Sequence, residues 1–116
     1  MGMHRHHGLM YTSWDPRRAK RRHRLACKLF RKAAKECGRS CVSELIGPTV
    51  NSTFTFAIVP SGSKVGWEPA ELHDEAMDKF VNRLKQDRES WIEFTYGDET
   101  RPCGFAVVTC SEKRLR

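Results

Sequence analysis

The sequence predicts an α+β domain in which helices cover one face of a small three-stranded sheet. Two long segments carry apolar residues at helical spacing, and three short segments in the second half alternate between apolar and polar residues. A chain of 116 residues with 39% hydrophobic and 30% charged residues is suited to a single core. The expected order is an N-terminal basic amphipathic helix, with a short second helix possible, followed by β-α-β-β.

The segment before the first helix has no regular period. We therefore predict a flexible tail at residues 1–14 and place the domain at 15–112. The last residues, 113–116, are polar and are expected to fray.

Several side chains in the predicted tail are candidates for contacts. His4, His6 and His7 lack the fixed geometry and the fourth ligand of a closed metal site, so we predict no metal there. The aromatic rings of Tyr11 and Trp14 either stack on bases beside a basic run or fold back onto the domain. We favour folding back, because exposed aromatic rings usually find apolar cover.

The first long helix is predicted over residues 15–37. Asp15 is suited to accept from the free N–H groups of the first turn, Pro16 suits the first helical position, and Gly38 suits the end. Residues 17–24 are charged nearly all round, so we expect these turns to project past the domain. The later turns carry an apolar face formed by Leu25, Ala26, Leu29, Phe30, Ala33 and Cys37.

The following elements are read from their periodicity. A short second helix is possible at 39–47, and strict alternation predicts a strand at 53–59. Glu68 and Pro69 open a helix whose apolar stripe reaches about residue 86.

Two more strands complete the predicted sheet as a hairpin. Alternation predicts a strand at 91–96 with Ile92, Phe94 and Tyr96 facing the helices. A loop rich in turn-forming residues separates it from a last strand at 105–110.

Charge is distributed unevenly along the chain, whose net charge is +7. Residues 1–50 carry 12 Lys and Arg against 3 acids, which gives +9, whereas residues 51–116 carry 9 against 11, which gives −2. This asymmetry indicates a basic element on an otherwise neutral body.

The compartment is inferred from what the sequence contains. There is no run of 18 apolar residues and no apolar stretch typical of a secretory signal, so we expect a cytoplasmic protein with no membrane partner. In that compartment we expect the five cysteines to be reduced thiols. The spacing of Cys37 and Cys41 is compatible with zinc, but no second close pair accompanies them, and this question stays open.

The stretch "PRRAKRRHR" at 16–24 is the strongest functional signal, with six Lys or Arg in eight positions. Cations this dense release counterions when they meet phosphates, and Arg favours forked phosphate contacts. We therefore predict a small nucleic-acid-binding protein, for DNA or RNA, with weak sequence specificity. The predicted phosphate contacts are Arg17, Arg18, Lys20, Arg21, Arg22, Arg24, Lys28, Arg31, Lys32 and Lys35.

Other interpretations of the basic run remain open. It is also typical of a nuclear-import signal, if the host has a nucleus, or of a solvated helix end without a specific role. The main alternative is a regulator or inhibitor, of the kind that phages and mobile elements encode, which docks on an acidic surface of a larger protein.

No enzyme is predicted. His73 stands in the run His73-Asp74-Glu75, which a solvated helix face explains without catalysis. No phosphate-binding loop or nucleophile motif is complete, so we expect neither a cofactor nor a small-molecule substrate.

Overall fold

In the computed structural model, which describes residues 5–97 and 107–110, strands and helices form two layers. The elements are β1 (Arg5–Ser13), α1 (Pro16–Leu29), α2 (Arg31–Cys37), β2 (Phe54–Ile58), α3 (Glu68–Gln86), β3 (Trp91–Gly97) and β4 (Val107–Cys110). The predicted α+β class is confirmed, as are the helix at 68–86 and the strands near 53–59 and 91–96. The last predicted strand is confirmed over its described part, whereas 113–116 lie outside the described residues.

Among the residues that the structure describes, the sheet has four antiparallel strands in the order β2-β1-β3-β4. Its first strand, β1, lies between β2 and β3, so the predicted three-stranded sheet and the order β-α-β-β are wrong. The flexible tail predicted at 1–14 is likewise wrong for residues 5–13, which form this inner strand. The domain therefore begins with a strand, and the basic helix follows it.

The residues of β1 explain both the strand and why it was missed. His7, Leu9 and Tyr11 point towards the helices while Met10 is 45% exposed on the other face, which is the alternation of a strand. A polar histidine in the inward series and a neighbouring glycine hide this alternation. Gly8 is required for packing, because a Cβ atom there would lie 2.4 Å from the ring of Phe94.

The core lies between the sheet and the helices. Register places Leu9 of β1 opposite Ile58 and Tyr11 opposite Phe56, so these four side chains share one face. Phe56 packs against Phe80 of α3, with ring centroids 6.1 Å apart. The buried helical side chains facing this sheet are Ala26, Phe30, Ala33, Ala76, Met77, Phe80, Val81 and Leu84.

The predicted orientation of β3 is wrong. Trp91 and Glu93 lie opposite Tyr11 and Leu9 and share their face, whereas Ile92 is 48% exposed on the other side. Phe94 covers Gly8 on that open face. The strand has bulky side chains in both alternating series, so hydrophobicity alone favoured the wrong one. The side chain of Tyr96 lies outside the described part.

The helices also differ from their prediction in two places. The segment predicted as one helix over 15–37 is divided at Phe30 into α1 and α2. Residues 39–47 are not helical; single bridges join Val42 to Ile58 and Ile46 to Thr55, so the segment runs beside β2. Among the described residues, no helix has the length and apolar character needed to cross a membrane.

A histidine ties three elements together. The ring of His7 on β1 donates from Nε2 to a carboxylate oxygen of Glu93 on β3, at 2.6 Å, and from Nδ1 to Asp74 on α3, at 3.4 Å. Burial opposes the charge on the imidazole, but the hydrogen bonds to the two carboxylates outweigh it and raise the pKa of His7 to about 9. At neutral pH this side chain is therefore a half-buried cation between two anions.

This contact predicts an alkaline loss of stability. Because the pKa of His7 is 6.5 when unperturbed and about 9 in the fold, its contribution is complete below pH 6.5 and is lost as the pH rises through 9. We expect the melting temperature of the wild-type protein to fall more steeply between pH 7 and 10 than that of His7→Asn. Parallel melting curves for the two proteins would contradict this assignment.

Candidate nucleic-acid interface

The start of α1 is fixed by its cap. The carboxylate of Asp15 accepts from the backbone N–H of Arg17, at 2.9 Å, and of Arg18, at 3.4 Å, and Pro16 occupies the first turn. Ahead of the cap, the hydroxyl of Ser13 accepts from the N–H of Asp15 at 3.1 Å. The predicted start of the helix is thereby confirmed, and the backbone entering it is held on both sides.

The first turns of α1 pack on the domain rather than projecting from it. Ala19 is 0% exposed, and Arg22 and Ala26 are also buried, at spacings of three and four that define one helix face. The predicted projecting helix is therefore wrong. The small side chain of Ala19 permits close approach of the helix, and carboxylates of the domain neutralise the guanidinium of Arg22.

Arg22 is the centre of a buried polar network. Its Nε donates to a carboxylate oxygen of Glu89 at 2.5 Å, and its terminal nitrogen donates to Asp87. The hydroxyl of Tyr11 on β1 donates to the other oxygen of Glu89. Arg83 donates to Asp87 from the end of α3, at 3.2 Å. The network therefore joins α1 to the inner strand and to the turn between α3 and β3.

The charges in this network are mutually dependent. Burial opposes the charge on Arg22, but its hydrogen bonds with Glu89 and the negative charges of Glu89 and Asp87 hold the pKa of the guanidinium above its usual value. Burial and the hydrogen bond to Glu89 likewise raise the pKa of Tyr11. Arg22 is thus paired inside the fold, and we no longer expect it to contact phosphates.

The other nine predicted cations form an exposed basic surface on α1 and α2. All nine are exposed, and none of them makes an ion pair with a described residue. On α1, spacings of four, three and four bring four of them to one outer face, which spans about 16 Å along the helix axis. The members of this basic surface are Arg17, Arg18, Lys20, Arg21, Arg24, Lys28, Arg31, Lys32 and Lys35.

A groove lies beside the basic surface, between α1 and α3. Its basic end has a volume of about 450 Å³ and is lined by Arg18, Arg21, Arg22, Leu25, Arg83 and Asp87. Its other end, of about 270 Å³, shares Leu25 and Arg83 and adds Leu29, Lys79, Asn82 and Gln86. The guanidinium groups of Arg18 and Arg21 at the first end are suited to bind phosphate oxygens, whereas the second end is less charged and partly apolar.

The exposed acids in the first turns of α3 lie away from the start of the basic surface. Phe30, just after α1, contacts the ring of His73 near the start of α3, whereas Arg22 reaches Asp87, just after α3 ends. The two helices therefore run in opposite directions. As a result, the first turns of α3 lie far from the N-terminus of α1, and these turns carry the exposed acids Glu68, Glu71, Asp74, Glu75 and Asp78.

Of the two aromatic residues in the predicted tail, one is buried and the other is exposed. Tyr11 is buried in the core, as expected for an aromatic ring that folds back. Trp14 is 79% exposed, so the same expectation is wrong for this residue. The difference follows from position: Tyr11 lies in the inward series of β1, whereas Trp14 lies between the end of the strand and the helix cap.

The described cysteines and histidines form no metal centre. Across residues 5–97, no three side chains of the ligand-forming types are grouped to hold an ion. Cys41 is buried, and burial together with its neighbour Cys37 raises the pKa of its thiol to about 12.

Comparisons with known proteins identify no relative of this chain. No family model matches the chain, and no curated protein or solved structure matches it either. Any functional conclusion must therefore come from the residues themselves.

The buried network predicts a large difference between neighbouring arginines. Arg22→Leu leaves the carboxylate of Glu89 buried without its cation, and loss of one partner of a buried pair costs about 3–5 kcal/mol. Arg21→Leu, on the exposed face, is expected to change stability by less than about 0.5 kcal/mol. Denaturant unfolding of both variants measures the difference.

A second variant tests the pairing itself. Arg22→Leu combined with Glu89→Leu removes both charges and is expected to be more stable than Arg22→Leu alone. If the double variant is less stable by the sum of the two single effects, the two side chains are not coupled.

Proposed function

We propose that this protein binds nucleic acid through the basic surface of α1 and α2, with little sequence preference and without catalysis. The main support for this proposal is a set of nine exposed cations on helices that pack against the core. None of the nine makes an ion pair with a described residue. Phosphate groups supply the charge that these side chains lack within the described structure.

Presentation by a fixed helix supports the proposal. Arg22 holds the inner face of α1 through Glu89, so the cations on its outer face keep a defined spacing. Arg17, Arg21, Arg24 and Lys28 lie along about 16 Å of helix, which is long enough to meet several phosphates of a strand. Less ordering entropy is then lost on binding than with a disordered basic tail.

Weak sequence preference follows from the chemistry of this surface. It consists of Lys and Arg, and contacts from such side chains to phosphates fix position without reading base edges. We therefore propose that random-sequence DNA or RNA is a sufficient ligand.

Binding should show the salt dependence of phosphate contacts. Five to six contacts give a log–log slope of about −5 with salt concentration, so affinity should fall about 10³-fold between 50 and 200 mM salt. Fluorescence anisotropy with labelled random-sequence DNA and RNA measures this slope. Dissociation constants weaker than about 10⁻⁴ M near physiological salt would overturn the proposal.

Charge-matched variants should localise the contacts. Arg17→Gln with Arg21→Gln is expected to weaken binding to all sequences and to lower the magnitude of the salt slope by about 2. The control, Lys64→Gln with Lys85→Gln, removes the same net charge outside the basic surface and should leave the slope unchanged. Equal effects from both pairs would mean that net charge, rather than this surface, controls binding.

The alternative role is that of a regulator that docks through the same basic helix on an acidic surface of a larger protein, and a separate observation favours it. The sheet face opposite the helices exposes Met10 and Ile92, which a protein partner would cover. Competition separates the two roles: we expect polyglutamate of matched charge to displace labelled DNA poorly. Displacement as effective as that by unlabelled DNA would favour an acidic protein as the partner.

A further inference from the structure

Trp14 is an exposed aromatic side chain at the start of the basic surface. It is 79% exposed, compared with 57% for Trp67, and Trp91 is buried. An indole with this exposure gains little from the core, so it contributes little to folding stability. The ring is therefore available for contact with a ligand.

The backbone on both sides of Trp14 is ordered. Ser13 pairs with Phe54 across the sheet, and Asp15 caps α1 through the N–H groups of Arg17 and Arg18. The indole is therefore displayed from a fixed turn rather than from a mobile tail. Because the backbone that carries the ring is held on both sides, less backbone entropy is lost when a ligand covers it.

Cations follow this residue closely along the chain. Arg17 follows Trp14 by three residues, so their Cα atoms are at most about 11 Å apart, and Arg21 lies one helical turn further on. The nearest carboxylate in sequence, that of Asp15, is directed at helix N–H groups. A nucleotide whose base covers the indole would thus have its phosphates beside arginines.

We propose that Trp14 is a stacking platform for an unpaired base, and that the preferred ligand is therefore single-stranded nucleic acid. This inference rests on the proposed nucleic-acid binding and specifies its ligand. Bases stack on an indole face irrespective of their identity, which agrees with weak sequence preference. Within a duplex both faces of each base are already covered by neighbouring pairs, so only unpaired bases are available.

Single- and double-stranded ligands separate this proposal from the broader one. Labelled oligothymidylate of 20 nucleotides and a random 20-base-pair duplex are titrated by anisotropy against wild type, Trp14→Ala and Trp67→Ala. Trp14→Ala is expected to weaken binding to oligothymidylate about 5- to 150-fold and to leave duplex binding within about twofold. Trp14→Phe should recover part of the loss, and Trp67→Ala should bind both ligands like wild type.

Failure of the stacking role and failure of the proposed function give different results in this experiment. If wild type binds both ligands but Trp14→Ala binds oligothymidylate equally well, or weakens both ligands equally, the stacking role is overturned while nucleic-acid binding stands. If wild type binds neither ligand, the proposed function fails and the stacking role fails with it. Thermal melting of Trp14→Ala should match wild type, because the exposed ring has little part in the fold.

Discussion

The buried ion pair of Arg22 and Glu89 is the interaction on which the arrangement of this domain depends. A carboxylate removed from water is strongly unfavourable unless a cation and hydrogen bonds replace its hydration. Here the guanidinium and the hydroxyl of Tyr11 do so together. Because these three residues lie on different elements, satisfying one charge fixes the positions of α1, β1 and the turn after α3 at the same time.

Helix α1 also contains unfavourable electrostatic interactions, and its packing on the domain does not explain them. The first turn of α1 contains arginines and no acidic residue, although the helix dipole favours negative charge there. Arg17 and Arg21, four residues apart, also repel each other by a few tenths of a kcal/mol. A sequence selected only for stability would replace some of these cations. Their retention agrees with the trade of stability for binding that functional surfaces commonly show.

How far the sequence predicts the structure depends on which residues carry each element. α3 and β2 have strong periods and are predicted correctly, whereas β3 is predicted as a strand with its two faces exchanged, because both alternating series are bulky. β1 is not predicted, because its inward series includes His7, whose charge is satisfied by residues distant in sequence. Arg22 could not be told from its neighbours by composition. Its spacing from Ala19 and Ala26 indicates the buried face of the helix. The sequence does not reveal its partner, because Glu89 is 67 residues away. For Trp14 the sequence favours folding back onto the domain, because it does not reveal that β1 ends just before this residue and leaves its ring exposed.

The inner position of β1 has a consequence for the order in which the protein forms. β1 is paired along one side with β2 and along the other with β3, and its partners lie tens of residues later in the chain. During synthesis, the first strand leaves the ribosome long before Trp91 exists, so it waits without either a complete sheet or Glu89. Such distant pairings slow folding. The nascent chain therefore exposes the cations of α1 and α2 before the residues that complete the core have been synthesised.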